Sequence, residues 1–140
     1  MDMTINFLVA AALAGTPLLF GTLGEILNER SGHLNLGVEG MMALGACGGF
    51  MAGYFTDSLV LALVFAFLAG LGGALIYAIL TVTFLANQNV TGLTLSIFGV
   101  GLANFFGEYM LNFSETNTLK LPDRILGQMT AVNIPVLSDL

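Results

Sequence analysis

The chain has 140 residues, 56% of them hydrophobic and only 9% charged, with a net charge of −6 and a mean hydropathy of +0.91. A soluble globular domain carries about 25% charged residues, so this composition excludes one and indicates an integral membrane protein in contact with a lipid bilayer. Three basic residues make no patch, which argues against nucleic acid as a partner, and the single cysteine, Cys47, permits no intrachain disulfide.

Residues 3–24 run 22 positions without a charge, enough for one helix across a hydrocarbon core of about 30 Å at about 1.5 Å per residue. Asp2 opens the run and no Lys or Arg precedes it, so the basic n-region of a signal peptide is missing and the run reads as a retained span. Pro17 removes a backbone donor in mid-span and should bend that helix, the freed carbonyl being re-satisfied by neighbours or hydroxyls. A polar, glycine-punctuated seam follows over residues 28–42. Of the six charged side chains between Met3 and Leu111, four lie in or beside it: Glu25, Glu29, Arg30 and Glu39. Polar groups at the edge of a span are expensive unless they do something, so the seam is where function is expected.

After the seam, residues 40–56 are uncharged and, with residues 34–39 ahead of them, make a second span interrupted early by Gly37 and Gly40. Gly45, Gly49 and Gly53 recur every fourth residue on one helix face, a pattern that lets helix backbones approach closely in lipid and is expected to serve packing rather than line a pore. Residues 58–107 then carry no Asp, Glu, Lys or Arg over 50 positions. One helix of that length would reach about 75 Å, so the run must fold back, and the three amides Asn87-Gln88-Asn89 mark the place. Small residues line a face of each resulting span: Ala66, Gly70, Ala74 and Ala78, then Gly99, Ala103 and Gly107. Beyond residue 112 the composition turns polar, with short apolar pieces. The fold class expected is all-α, a polytopic transmembrane helix bundle over residues 1–140. It has about four spans (near 4–27, 36–55, 59–86 and 90–111), a broken second helix, a loop over 112–140 and no soluble domain.

The chemistry available to such a chain is narrow. There is no glycine-rich phosphate loop with its lysine, the only lysine being Lys120, and one His with one Cys cannot build a metal site. Ser31 and His33 are near neighbours without a triad, and His33 reads as a solvated loop histidine. No enzymatic activity, cofactor or metal is expected. The membrane carboxylates are the sharper signal. Glu25 and Glu108 sit at span ends and read as interfacial. Glu39 is flanked by apolar neighbours and either lines a pathway or makes structural hydrogen bonds. Asn35 and the amides at 87–89 could partner it or satisfy broken backbone.

The segment Glu29-Arg30-Ser31-Gly32, then Leu34-Asn35-Leu36-Gly37-Val38-Glu39-Gly40-Met41-Met42, is followed about fifty residues on by Ala86-Asn87-Gln88 and Val90-Thr91-Gly92-Leu93. Together they resemble permease subunits of bacterial ATP-binding-cassette (ABC) importers, nearest to the nucleoside and simple-sugar branch and more distantly to ribose and branched-chain amino-acid permeases. The resemblance runs along the whole chain, Thr16-Pro17-Leu18-Leu19 included, but covers only the N-terminal half of family members. An N-terminal portion of such a permease is therefore expected. His33 stands where the family usually has a small aliphatic residue.

The resemblance implies a multi-pass subunit of the bacterial inner membrane that forms part of a nucleoside or sugar pathway. It would pair with a second permease subunit, a cytoplasmic ATPase and an extracytoplasmic solute-binding protein. It also implies that Arg30 faces the cytoplasm and the Lys120 loop the outside, a sidedness that three basic residues specify only weakly. Asn35, Glu39, Asn89 and Thr91 are candidate pathway residues from motif membership and polar placement; Glu29, Arg30, Gly32, Gly37 and Gly40 are the structural motif. Two alternatives remain. One is a small four-helix proton-coupled multidrug exporter, which leaves the 30–42 motif unexplained. The other is a non-transporting membrane assembly subunit, for which glycine-rich faces alone suffice.

Overall fold

A computed structural model describes residues 3–113 and 120–130, and among these every regular element is helical. Residues 114–119 and 131–140 of the expected 112–140 loop lie outside the described residues. The helices are α1 (Met3–Arg30), α2 (Val38–Thr56), α3 (Leu59–Ala78), α4 (Gln88–Phe113) and the short α5 (Asp123–Thr130), with a π-helical turn (Ile79–Thr83) prolonging α3. Three stretches are long and apolar enough to cross a membrane: Met3–Arg30, Leu59–Thr83 and Gln88–Asn112. The 19 residues of α2 reach about 28 Å. α2 carries five glycines and is the helix enclosed between neighbours, with Gly40, Gly49 and Gly53 buried.

Glycine sets how closely those neighbours approach. A Cβ on Gly49 would lie 2.8 Å from the Ala66 methyl and 3.1 Å from the Ala62 carbonyl, and one on Gly45 would lie 3.1 Å from the Ala66 carbonyl. The Gly45–Gly49–Gly53 face therefore packs on the Ala62–Ala66–Gly70 face of α3, as helix packing in lipid requires. The crossing with α4 is tighter still. A Cβ on Gly40 would collide with the Leu95 carbonyl oxygen and lie 2.7 Å from Ser96 Cα, and one on Gly99 would lie 2.5 Å from the Gly40 carbonyl oxygen. No residue other than glycine fits at either position without moving backbone.

Between α2 and α3 the chain reverses in two residues: Asp57 closes α2 in the left-handed region (φ 51°) and Ser58 caps α3, its hydroxyl accepting the Leu61 N–H at 3.5 Å. The reversal after α3 is less regular. The Thr81 hydroxyl donates to the Tyr77 carbonyl (2.8 Å), a bond that competes with the helix ladder, and the closing bonds Phe84 N–H to Ile79 and Ala86 N–H to Leu80 span five and six residues. Leu85 then adopts φ 52°, unusual for a bulky residue. Asn87 caps α4, its side-chain oxygen accepting the N–H groups of Asn89 (3.1 Å) and Val90 (3.2 Å), so Gln88 and Asn89 already belong to the first turn of α4.

α1 stands apart. It runs unbroken through Pro17 and buries no residue. It touches α2 where Gly21 faces Val38 and Met42, while Phe7, Leu13 and Leu27 remain about 70% exposed, as lipid-facing side chains would be. Ile125 of α5, 1% exposed, closes the far end of the bundle against Gly53 and Leu121.

Candidate functional site

The seam is built from two ends of helix and a short piece that is neither. α1 ends as glycine-terminated helices do: the His33 N–H bonds back to the Asn28 carbonyl (3.2 Å) and the Gly32 N–H to the Glu29 carbonyl (2.9 Å), with Gly32 at φ +86°. Ser31 adds its hydroxyl to the same Asn28 carbonyl at 2.6 Å. Glu29 and Arg30 are exposed in the last turn, where the Arg30 cation complements the helix dipole.

Residues 33–35 then leave helical geometry altogether, and non-helical backbone at membrane depth is tolerable only where its polar groups find partners. Four side chains from three helices supply them. Glu25 Oε1 of α1 accepts the Asn35 N–H (2.8 Å) and Gln88 Oε1 of α4 accepts the Leu34 N–H (2.8 Å). The Tyr77 hydroxyl of α3 donates to the Leu34 carbonyl (2.7 Å), and the Ser96 hydroxyl of α4 donates to the Leu36 carbonyl (2.8 Å). Asn35 turns on itself: its Oδ1 accepts the Gly37 N–H (2.8 Å), and its Nδ2 points at the Met41 sulfur (3.5 Å). The Gly37 carbonyl accepts the Met41 N–H (3.1 Å) and starts α2. The interruption of the second span thus precedes Gly37, while Gly40 is already helical.

Beside the seam an open groove of about 970 Å³ separates α1 from the α2–α3 pair. Its walls are mostly apolar, with Phe20, Met42 and Phe67 among them, and its polar residues, Glu25, Asn28, Ser31 and Asn35, belong to the seam or the turn of α1 before it. Two polar atoms there are buried without a partner, Glu25 Oε2 and Asn28 Nδ2.

Of the four residues expected to line a pathway, Asn35 alone borders this groove, and both ends of its side chain are engaged. Glu39 is exposed in the first turn of α2, where its charge suits the helix dipole, Asn89 is exposed at the start of α4, and Thr91 is half-buried one turn in. None of these three side chains has a hydrogen-bond partner among the described residues. In the structural motif, Gly32 provides the left-handed cap, Gly37 faces the Gly92 carbonyl, which a Cβ there would approach to 3.1 Å, and Gly40 meets α4. The reading of Glu25 as interfacial missed its bond to the seam, and Tyr77, Ser96 and Asn28 escaped notice. Tyr77 gave a signal, being the one tyrosine in the charge-free run over residues 58–107.

Residues 7–132 match the family described as branched-chain amino acid transport system / permease component. The chain is 35% identical over 139 residues to the putative glucose ABC transporter permease protein TsgC13 of Haloferax volcanii, covering 99% of this chain and 42% of that protein. It is 29% identical over 143 residues to the guanosine ABC transporter permease protein NupQ of Bacillus subtilis, covering 97% of this chain and 43% of that protein. A third relative, the nucleoside ABC transporter permease protein NupC of Lactococcus lactis, is 28% identical over 144 residues, covering 98% and 43%. The chain therefore spans less than half the length of the curated relatives it matches. No solved structure matches it.

Proposed function

Because the chain belongs to the family of permease components of branched-chain amino acid transport systems, we propose that it forms part of the membrane pathway of an ATP-driven importer for nucleosides or simple sugars. It is a multi-pass membrane protein, and we place it in the bacterial inner membrane. A second permease subunit, a cytoplasmic ATPase and an extracytoplasmic solute-binding protein complete the assembly. The relatives named for glucose, guanosine and nucleoside transport support this cargo class. The observation that carries the reading is the seam: a non-helical segment between α1 and α2, pinned by side chains from α1, α3 and α4, beside an open groove. Broken helices of this kind are tolerated where they line a cavity, and they mark solute sites in transporters. Asn35 holds the seam in shape, while Glu39, Asn89 and Thr91 keep free polar side chains at the same end of the bundle and face a path completed by the rest of the assembly.

In the orientation proposed, the N-terminus is outside, Arg30 and the turn before α4 face the cytoplasm, and the segment around Lys120 is outside. The test is uptake of radiolabelled guanosine and glucose into proteoliposomes holding the assembled permease, ATPase and binding protein. ATP-dependent uptake of one of them is expected. Uptake by this polypeptide alone, driven by a proton gradient without ATP, would establish the exporter alternative instead.

A further inference from the structure

We infer that Glu25 and Asn28 form a subsite for one hydroxyl group of a neutral polyhydroxylated solute, at the seam end of the groove between α1 and α2. The inference rests on the solute-pathway reading above and adds to it the residues and the ligand chemistry.

The two residues lie three apart on α1, so their side chains share a helix face, and both line the groove. Their remaining hydrogen-bonding capacity is specific. Glu25 uses Oε1 on the Asn35 N–H (2.8 Å), which fixes the carboxylate, and leaves Oε2 buried and unpartnered. Asn28 leaves its Nδ2, a donor, buried and unpartnered, and the two free atoms do not bond to each other. The other polar side chains lining the groove are engaged: Ser31 donates to the Asn28 carbonyl, and Asn35 bonds Gly37 and Met41. Buried polar atoms in folded proteins are nearly always paired, so an acceptor and a donor left without partners three residues apart on one helix face point to an occupant.

The occupant's chemistry follows from the pair. A hydroxyl is the small group that both donates and accepts, its proton going to Glu25 Oε2 and its lone pair taking an N–H of Asn28. An anion is excluded, because Glu25 is the only charged residue lining the groove among the described residues and would repel it. A cation would satisfy Glu25 and leave the Asn28 N–H groups facing it unpaired. The apolar remainder, with Phe20 and Phe67 on opposite walls contributed by α1 and α3, suits the flat carbon face of a sugar or a nucleobase, and about 970 Å³ admits either.

The test uses the full permease assembled with its ATPase and binding protein, carrying Cys47→Ala and the reporter Ser31→Cys, with guanosine, glucose and the anion gluconate as probes. Guanosine or glucose should slow maleimide labelling of the reporter, and gluconate should not. Glu25→Gln keeps an oxygen for the Asn35 N–H but turns the free atom into a donor; Asn28→Asp turns the free donor into an acceptor. Each alone should raise the concentration for half-protection roughly tenfold, and the two together should restore it, because the pair is complementary to a hydroxyl again. A merely structural role gives no such rescue. Asn28→Ser serves if Asn28→Asp does not assemble, and should weaken protection likewise. The subsite is overturned by uptake without protection, by protection indifferent to the single substitutions, or by a reporter that is unreactive before solute is added because protein fills the groove. Absence of uptake of either neutral probe by the unsubstituted assembly would remove the pathway reading, and the subsite with it.

Discussion

α2 and α1 sit in the same lipid and are held by opposite means. α2 is gripped by backbone: glycines at 40 and 49 let α4 and α3 approach until a single methyl would collide, and Gly45 brings α3 nearly as close. α1 buries no whole residue and is held by Gly21 against Met42 and by one carboxylate reaching the seam. In water the hydrophobic effect would pull such a helix down onto its neighbours; in hydrocarbon that drive is absent and only close packing or hydrogen bonds hold helices together. The contrast teaches that α2, α3 and α4 form the fixed frame, while the α1 interface is polar, sparse and open at the groove.

The sharpest way to break that comparison is to place an apolar side chain on a glycine of each helix. Gly40→Val in α2 drives a branched side chain into the Leu95 carbonyl and Ser96 Cα, backbone atoms that cannot step aside, and should cost more than about 3 kcal/mol. Loss of the monodisperse detergent-solubilised species in size-exclusion chromatography is the expected readout. Gly15→Ala in α1 meets nothing within 4 Å and should be neutral or stabilise by up to about 1 kcal/mol through helix propensity. Equal damage from the two would mean that α1 is packed as tightly as α2.

A smaller effect probes the joint between frame and seam. Tyr77→Phe keeps the ring of a residue 4% exposed but removes the hydroxyl from the Leu34 carbonyl, stranding a part-buried acceptor. The expected loss is about 1–3 kcal/mol, read as a lower midpoint in thermal unfolding of the detergent-solubilised protein. Ser96, which holds the Leu36 carbonyl in the same way, is the second half of this joint.

What could be read from the sequence divides along the same line. The frame was legible because packing in lipid writes a local period: small residues at every fourth position announced the Gly45–Gly53 face and its partner on α3, and a charge-free run too long for one helix announced the reversal near Asn87. Asn87 and Gln88 do satisfy backbone, as their amides suggested. The seam's fastenings were not legible, because Tyr77 lies 43 residues from Leu34 and Ser96 lies 60 from Leu36, and such pairings leave no mark in local spacing. The bond made by Glu25 was not legible either, because a position at a helix end says nothing of the N–H it meets ten residues later. The left-handed Leu85 could not be anticipated, since nothing in that turn is a glycine.

The smallest expected loss of stability belongs to Glu39, and it sharpens the comparison by separating a residue of the frame from a residue of the path. Glu39 is exposed in the first turn of α2 and has no hydrogen-bond partner among the described residues, so its contribution to folding is that of a carboxylate beside a helix N-terminus, about 0.3–1 kcal/mol. Glu39→Gln removes the charge and keeps the shape, and should lower the unfolding midpoint of the assembled permease only marginally. Uptake is the discriminating measurement. With Glu39 facing a water-filled path, loss of its charge should depress uptake per assembled complex severalfold while Glu39→Ala still assembles, because nothing in the frame leans on the side chain. Unchanged uptake for Gln together with failed assembly for Ala would return Glu39 to the frame, and the path would then run through the groove side of α2 alone, where Glu25 and Asn28 wait.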